Sequence, residues 1–175
     1  MLLQTAREEI AQTSFRLRPD GLVVGTAGNL SVREGDLVAV TPSGLPYEDM
    51  RPDLIAVVEY ETGRQVDGPL KPASELGLHL TTLRVTGLPA VVHTHSPAAA
   101  AVASLEGVSV LPAVHYYVSM FGGSDVRVAE YATYGSPELA ENVGRALEGR
   151  TGALMSNHGS VVAGPDLAAA YVLAE

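Results

Sequence analysis

Cysteine is absent from the sequence. The chain therefore has no disulfide, no thiolate metal site and no cysteine nucleophile. A long apolar run is also missing, because Arg7, Glu8, Glu9 and Arg16 interrupt the N-terminal segment 1–17. A signal peptide needs an unbroken apolar stretch, and a membrane span needs about 20 apolar residues. These absences favour a cytoplasmic protein that does not contact a membrane.

Lysine is nearly absent as well, since Lys71 is the only one. The 11 basic residues are scattered along the chain and are outnumbered by 20 acidic ones, which gives a net charge of −9. Binding to a nucleic-acid backbone relies on clustered Lys and Arg, so no nucleic-acid partner is expected. A small anion remains compatible with this charge, because backbone N–H groups can bind an anion locally.

The length of 175 residues and the 46% hydrophobic content are sufficient for one domain with its own core. A bound metal would therefore serve chemistry rather than folding. Helical spacing and turn signals predict helices over 3–18, 74–85, 97–105, 137–147 and 166–175. Short apolar segments predict strands at 30–33, 37–41, 55–60, 65–66, 90–95, 108–114, 153–156 and 160–163. This pattern predicts a single α/β domain over 1–175, a three-layer α/β/α sandwich around a mostly antiparallel sheet.

Two histidines stand at the end of the predicted strand 90–95. His93 and His95 are separated by one residue, so along a strand their side chains point to the same face about 6.5 Å apart. Two imidazoles placed in this way can bind one ion, but a pair in an edge strand can also arise by chance. A zinc site needs a third protein ligand, and His158 in a polar turn between two strands is the best candidate. His79 lies on a predicted helix and is interpreted as structural.

Three further blocks carry polar or small residues. Glu75 follows Lys71-Pro-Ala-Ser74 at the start of a predicted helix, where backbone N–H groups are unpaired. Considered alone, Glu75 is better explained by a helix-capping or dipole role. The turns Gly25-Thr-Ala-Gly-Asn29 and Thr41-Pro-Ser-Gly44 offer N–H and hydroxyl donors that suit a phosphate.

These blocks, in this order, resemble the class II aldolase/adducin family, and within it the branch that cleaves L-fuculose 1-phosphate. The similarity runs through nearly the whole chain. The motifs that show this similarity are Gly25-Thr-Ala-Gly-Asn-Leu-Ser-Val-Arg33, Thr41-Pro-Ser-Gly44, Lys71-Pro-Ala-Ser-Glu75, His93-Thr-His95, Pro112-Ala-Val-His-Tyr116, Gly122-Gly123, Tyr131-Ala-Thr-Tyr-Gly135 and Asn157-His-Gly159.

The resemblance implies a zinc-dependent aldolase. It would cleave a ketose 1-phosphate, such as L-fuculose 1-phosphate, into dihydroxyacetone phosphate and an aldehyde such as L-lactaldehyde, through an enediolate. It implies Zn²⁺, one per subunit, bound by His93, His95 and His158, although other divalent metals are compatible. Glu75 would ligate the ion at rest and act as the base when substrate arrives. The same resemblance implies a homotetramer with active sites at subunit interfaces.

Further roles follow from matching positions. Phosphate-binding positions of the family fall on Gly28, Asn29, Ser43, Gly44, Ala73 and Ser74. Tyr116 matches a catalytic tyrosine that stabilises the aldehyde oxygen, and Thr26 and Tyr134 match the substrate pocket. Ala73 departs from the pattern, because a serine is common there, so one hydroxyl contact is expected to be lost. Relatives also continue with a C-terminal segment that closes over the site, and we expect the natural chain to extend beyond its uncapped last helix.

Other activities remain open. Rhamnulose-phosphate aldolase and methylthioribulose-phosphate dehydratase use related sites. A ribulose-phosphate 4-epimerase carries an acidic residue shortly after its His-Tyr segment, and no acid occurs in Tyr116–Gly122. A non-catalytic adducin-like binding module would have no reason to keep three histidines and Glu75. The alternative aldolase chemistry, a Schiff base, would have to use Lys71.

Overall fold

A nine-stranded β-sheet runs through the computed structural model, which describes all of residues 1–175. The strands follow the spatial order β4-β3-β2-β1-β5-β9-β8-β7-β6. Seven of the eight neighbouring pairs are antiparallel, and only β7 and β8 are parallel. The predicted, mostly antiparallel sheet is confirmed. The strands are β1 Asn29–Glu34, β2 Leu37–Val40, β3 Ala56–Glu59, β4 Gln65–Asp67, β5 Ala90–Thr94, β6 Val110–Pro112, β7 Asp125–Ala129, β8 Gly152–Met155 and β9 Gly159–Gly164.

Five α-helices cover the sheet. They are α1 Gln4–Leu17, α2 Leu76–Thr86, α3 Pro97–Ala103, α4 Pro137–Ala146 and α5 Leu167–Ala174. α2 and α4 share one hydrophobic core with the sheet. α1 and α5 share a second core with the sheet. The predicted three-layer sandwich is therefore confirmed. None of these helices combines the length and the apolar character of a membrane span.

The two cores follow from the alternation of side chains along buried strands. In β5, Val91 joins the core of α2 and α4, whereas Ala90 and Val92 join the core of α1 and α5. Because β5 is covered on both faces, all five of its residues are buried, including the polar His93 and Thr94. His93 has the same parity as Val91, so its side chain points towards the layer that contains α2.

The structure differs from the sequence prediction at one side of the sheet. No strand is predicted between 122 and 136, but β7 forms there, and its alternating charged and valine residues are a signal that the prediction missed. The predicted strand 108–114 shrinks to Val110–Pro112, a short strand that is largely exposed. Tyr116–Phe121, just beyond it, forms a 3₁₀ helix instead. The other predicted elements agree with the structure to within about two residues.

Candidate metal centre

His93 and His95 occupy the end of β5, the central strand between β1 and β9. β5 pairs with β1 through Asn29 and with β9 through Val161, which places His93 in the middle of the sheet. The His93 ring is fully buried, and its Nδ1 lies 2.8 Å from the carbonyl oxygen of Ser160. That carbonyl can only accept, so Nδ1 carries the proton. The other ring nitrogen, Nε2, therefore points away from β9 and lies 3.0 Å from Glu75 Oε2.

His158 and Glu75 reach the same point from two other elements. His158 lies in the turn between β8 and β9, next to Asn157, whose φ of 53° gives the turn its sharp reversal. Glu75 is the residue just before α2, where the positive end of the helix dipole favours a carboxylate. The structure thus brings together the four side chains that the resemblance implied as ligands, from three separate parts of the chain.

The ligand atoms are close enough to share one ion. All four lie within 4.8 Å of one another. The Nε2 atoms of His93 and His95 are 2.9 Å apart, His93 Nε2 is 3.0 Å from Glu75 Oε2, and His158 Nε2 is 3.2 Å from Glu75 Oε1. A tetrahedral site with bonds near 2.1 Å has ligand atoms about 3.4 Å apart. Small shifts of these side chains would accommodate a divalent ion.

The chemistry of this donor set also fits a cation. In the neutral form that binds a metal, His93 would present the lone pair of Nε2 to a carboxylate oxygen, which is itself an acceptor. Glu75 Oε1 is buried and has no hydrogen-bond donor. A buried acceptor without a partner costs about 1–3 kcal/mol, and more when the group is charged. A divalent ion at the centre would pair these facing acceptors.

The ionisation states of Glu75, His95 and His158 also favour the binding of a metal ion. Burial raises the pKa of Glu75. A hydrogen bond and the positive charge of His93, the charge of His158 and a hydrogen bond from Asn29 outweigh burial and lower the pKa to about 2. Burial lowers the pKa of His95 to about 4, and repulsion from His93 and His158 adds to this effect. Burial also lowers the pKa of His158. At neutral pH Glu75 is therefore a carboxylate, and His95 and His158 are neutral imidazoles, the forms that bind a metal ion.

A cavity of about 370 Å³ opens above these side chains. Its size suits a small ligand, and its lining is mostly polar. Five of the residues matched to phosphate or substrate contacts line it. They are Thr26, Gly28, Asn29, Ser74 and Tyr134.

The other matched positions lie outside this lining. An isolated β-bridge between Pro42 and Pro72 holds the two loops side by side. The N–H of Ser43 donates to Lys71, and the N–H of Ala73 donates to Thr41, so these loops bind each other through their backbone. Ala73 is buried, whereas Ser43 and Gly44 are exposed.

Tyr116 also lies outside the lining and is 73% exposed. It stacks with its neighbours His115 and Tyr117 at the start of the 3₁₀ helix. The structure of one chain therefore does not bring Tyr116 to the four ligands, and its catalytic role stays a prediction.

The Gly25–Asn29 loop is anchored tightly against β5. Gly28 has φ +84°, and a Cβ atom there would meet the backbone oxygen of His93 at 2.8 Å, so only glycine fits. The buried Tyr47 hydroxyl lies 2.7 Å from Ala27 O and 2.8 Å from Gly28 O. Burial raises the pKa of Tyr47, which keeps its hydroxyl a donor. This anchoring, which the sequence prediction missed, fixes Asn29 beside Glu75.

Three more residues belong to the site although no role was predicted for them. Tyr131 and Asn157 line the cavity. His79, interpreted as structural, is fully buried and lies in a hydrogen-bonded chain that leads through Asn29 to Glu75. Its spacing of four residues after Glu75 places both on one side of α2, which is the signal that could have linked them.

Comparison with known proteins agrees with this geometry. The profile of the family described as Class II Aldolase and Adducin N-terminal domain matches residues 8–175. A 5-methylthioribulose-1-phosphate/5-deoxyribulose-1-phosphate aldolase from Rhodospirillum rubrum is 44% identical over 155 residues, which cover 88% of this chain and 68% of the relative. A 5-deoxy-D-ribulose 1-phosphate aldolase from Bacillus thuringiensis is 39% identical over 178 aligned positions, which cover 100% of this chain and 82% of the relative.

The fold comparison gives the same result. A solved structure of an L-fuculose 1-phosphate aldolase superimposes with a TM-score of 0.92 at 36% identity, over 99% of this chain and 82% of that one. The family profile spans nearly the whole chain, and both relatives exceed 30% identity. The chain therefore belongs to the class II aldolase and adducin family and is a class II aldolase, a carbon–carbon lyase.

Proposed function

We propose that this aldolase uses a zinc ion to cleave a ketose 1-phosphate into dihydroxyacetone phosphate and a short aldehyde. The observation that carries the proposal is the convergence of His93, His95, His158 and Glu75, with a buried carboxylate oxygen that lacks a donor. Zinc suits this donor set, because three imidazole nitrogens and one carboxylate form a four-coordinate site. In catalytic zinc sites three protein ligands leave one position for substrate, so Glu75 is the ligand to be displaced.

The reaction breaks the bond between carbons 3 and 4 of the ketose. The C4 hydroxyl loses its proton and becomes the aldehyde, while the bonding electrons pass to carbon 3 as an enediolate. A bound divalent ion would supply Lewis-acid polarisation of the ketone and would stabilise the enediolate charge.

Glu75 is the base: its carboxylate accepts the proton that leaves the C4 hydroxyl and returns it to carbon 3 of the enediolate, which gives dihydroxyacetone phosphate and balances the cleavage. The carboxylate lies 3.0 Å from His93 and lines the cavity, so a displaced Glu75 stays within reach of a substrate there. General acid–base assistance of this kind contributes about 10²–10⁴-fold. Thr26, Gly28 and Ser74 line the same cavity and would hold the phosphate, which fixes the reacting carbon next to Glu75.

The substrate choice follows from what the relatives' names have in common. 5-Deoxyribulose 1-phosphate, 5-methylthioribulose 1-phosphate and L-fuculose 1-phosphate are all 1-phosphorylated 2-ketoses, and cleavage between carbons 3 and 4 gives dihydroxyacetone phosphate from each. They differ only in the aldehyde. The identities of 44% and 39% favour the 5-deoxypentulose phosphates, and the TM-score of 0.92 supports L-fuculose 1-phosphate as the second candidate.

A substrate panel with metal analysis tests the proposal. Purified protein is expected to contain one zinc per chain and to release dihydroxyacetone phosphate, detected by a coupled reductase, from 5-deoxyribulose 1-phosphate faster than from L-fuculose 1-phosphate. Glu75→Gln should lower kcat by about 10²–10⁴-fold. Full turnover in excess chelator, or covalent trapping of Lys71 by borohydride in the presence of substrate, would overturn the metal mechanism.

We further propose that the chain forms a homotetramer. An apolar patch of Val114, Tyr116, Tyr117 and Met120, each at least 50% exposed, lies on the loop and 3₁₀ helix beyond β6. Tyr117 and Met120 also line a mainly apolar cavity of about 560 Å³. Exposed patches of this kind mark contacts between proteins. Light scattering should give four times the mass of one chain, and a monomer at working concentration would contradict the proposal.

A further inference from the structure

His79 is a buried histidine outside the four candidate ligands. Its side chain is fully inaccessible, yet both ring nitrogens have partners. Nδ1 lies 2.7 Å from the Ser31 hydroxyl on β1, and Nε2 bonds the side-chain oxygen of Asn29. The Asn29 amide nitrogen in turn lies 3.3 Å from Glu75 Oε2. Four side chains thus form one continuous hydrogen-bonded chain that ends on the candidate base.

The direction of every hydrogen bond in this chain follows from its last member. The Glu75 carboxylate can only accept, so the Asn29 amide presents its NH₂ group to Glu75 and its oxygen to His79. His79 must then donate from Nε2, which makes Nδ1 an acceptor in the neutral ring. The Ser31 hydroxyl therefore donates to Nδ1. No other assignment leaves all of these buried groups satisfied.

We propose that His79 is a positioning residue, which fixes the orientation of the Asn29 amide and thereby holds the Glu75 carboxylate towards the three histidines. Nothing in the Asn29 amide itself decides whether its oxygen or its NH₂ group faces Glu75. If Asn29 turned over, its oxygen would face the carboxylate, and two acceptors would repel each other in a buried site. The Nε2–H of His79 excludes this arrangement.

His79 is not a further metal ligand, because Ser31 and Asn29 occupy both of its nitrogens. It acts on Glu75 only through Asn29. Loss of such an outer partner of a metal site lowers metal affinity or activity by about 10–100-fold. The inference depends on the proposed function for its turnover readout, whereas the tautomer and metal affinity of the protein can be measured without substrate.

The first test measures the tautomer directly in the unmodified protein. Nitrogen-15 NMR of the histidine side chains, in the zinc-loaded protein at neutral pH, should show His79 as the neutral Nε2–H tautomer. An Nδ1–H tautomer with no proton on Nε2 would overturn the inference, since it leaves no donor for the Asn29 oxygen. This measurement decides the question even where a substitution at His79 prevents folding.

The second test uses matched variants. His79→Leu removes the donor, and His79→Gln restores an N–H near the position of Nε2. Thr82→Val serves as a control, because it removes a buried hydroxyl from the same helix that bonds only Leu78 O. Zinc affinity is measured by competition with a chelator, and kcat and KM by release of dihydroxyacetone phosphate.

We expect His79→Leu to lower zinc affinity and kcat by about 10-fold each, His79→Gln to recover most of both, and Thr82→Val to change neither. A change confined to KM in His79→Leu would place Asn29 in phosphate binding instead and would overturn the inference. If Thr82→Val lost as much zinc affinity and kcat as His79→Leu, the effect of His79 would be explained by its structural role in the helix alone, and the inference would be wrong. A wild-type protein that binds no metal would refute the proposed function, whereas a metal-binding wild type indistinguishable from His79→Leu would refute this inference alone.

Discussion

Gly159 lies where the strand carrying His93 and His95 approaches the turn carrying His158 most closely. A Cβ atom added at Gly159 would meet the backbone oxygen of Thr94 at 2.1 Å and the Cα of His95 at 3.2 Å. Real Cβ atoms essentially never approach a heavy atom within 3.0 Å. Neither neighbour is a flexible side chain, so Gly159→Ala must push β5 and β9 apart by about 0.9 Å.

This displacement falls within the candidate metal centre. Metal–ligand distances tolerate only about 0.2 Å of error, and Gly159→Ala moves His158 relative to His93 and His95 by several times that amount. We expect zinc affinity to fall by about 100-fold. Overpacking in the sheet should lower the free energy of unfolding of the metal-free protein by about 1–3 kcal/mol.

The assay is chelator competition for zinc, combined with denaturant unfolding of the metal-free protein. Gly77→Ala is the matched control, because it makes the same chemical change in α2, close to Glu75, where a Cβ meets only Ala140 at 3.9 Å. It should raise stability by about 1 kcal/mol through helix propensity and leave zinc affinity unchanged. Wild-type zinc affinity in Gly159→Ala would refute the reasoning that the four side chains form one metal centre held by this strand contact.

Three further outcomes test the fold and the site. Asp67→Asn should leave the buried guanidinium of Arg7, now 2.7 Å from Asp67, without its anionic partner at a cost of about 2 kcal/mol in urea unfolding at pH 7. Hydrogen bonds from the N–H groups of Leu2 and Gly68, with the charge of Arg7, lower the pKa of Asp67. The stabilisation by Asp67 is therefore present above about pH 4 and disappears as the pH falls through the folded-state pKa. If wild type and Asp67→Asn differed in unfolding free energy by the same amount at low pH, the prediction would be contradicted. The Ser136 hydroxyl caps α4 by accepting a hydrogen bond from the Leu139 N–H. Ser136→Ala should lower the free energy of unfolding by about 1 kcal/mol, measured by thermal unfolding. An unchanged stability would show that the cap contributes nothing. Zinc at 100 times its dissociation constant should stabilise the metal-free protein by about 2.7 kcal/mol in urea unfolding, and a zinc-independent midpoint would contradict a native-state metal site.

Sequence reasoning named four side chains that converge in the structure, and for part of this there is a physical reason. The spacing of His93 and His95 is local, and a strand places alternate residues on one face whatever surrounds it. The extended stretch 90–95 was also predictable, because it opens with the apolar run Ala90-Val-Val92, which is typical of a strand covered on both faces. His158 was a candidate from its polar turn between two strands, but the resemblance to family motifs was needed to join it and Glu75 to the pair, since their approach to β5 depends on the order of the strands and on the packing of α2.

Elements whose position depends on distant pairing were harder to predict. β7 alternates over only five residues and is held by a parallel contact with β8, which follows it by more than twenty residues. The loops around Ser43 and Ala73 look like donors from their sequence, but in the structure the N–H of Ser43 donates to the carbonyl oxygen of Lys71, and the N–H of Ala73 donates to that of Thr41. A backbone donor is available to a ligand only if no other part of the chain uses it, and this cannot be read from a motif.

The interpretation of His79 as structural shows the same limit most clearly. A histidine on the buried face of a helix is usually a satisfied core residue, and His79 is indeed satisfied. Its partners come from β1, however, and β1 is the strand that pairs with the His93 strand. The hydrogen bonds that make His79 stable in the core therefore also determine which end of Asn29 faces Glu75. In this fold a single buried side chain serves both packing and the geometry of the site, so burial alone does not separate structural from functional histidines.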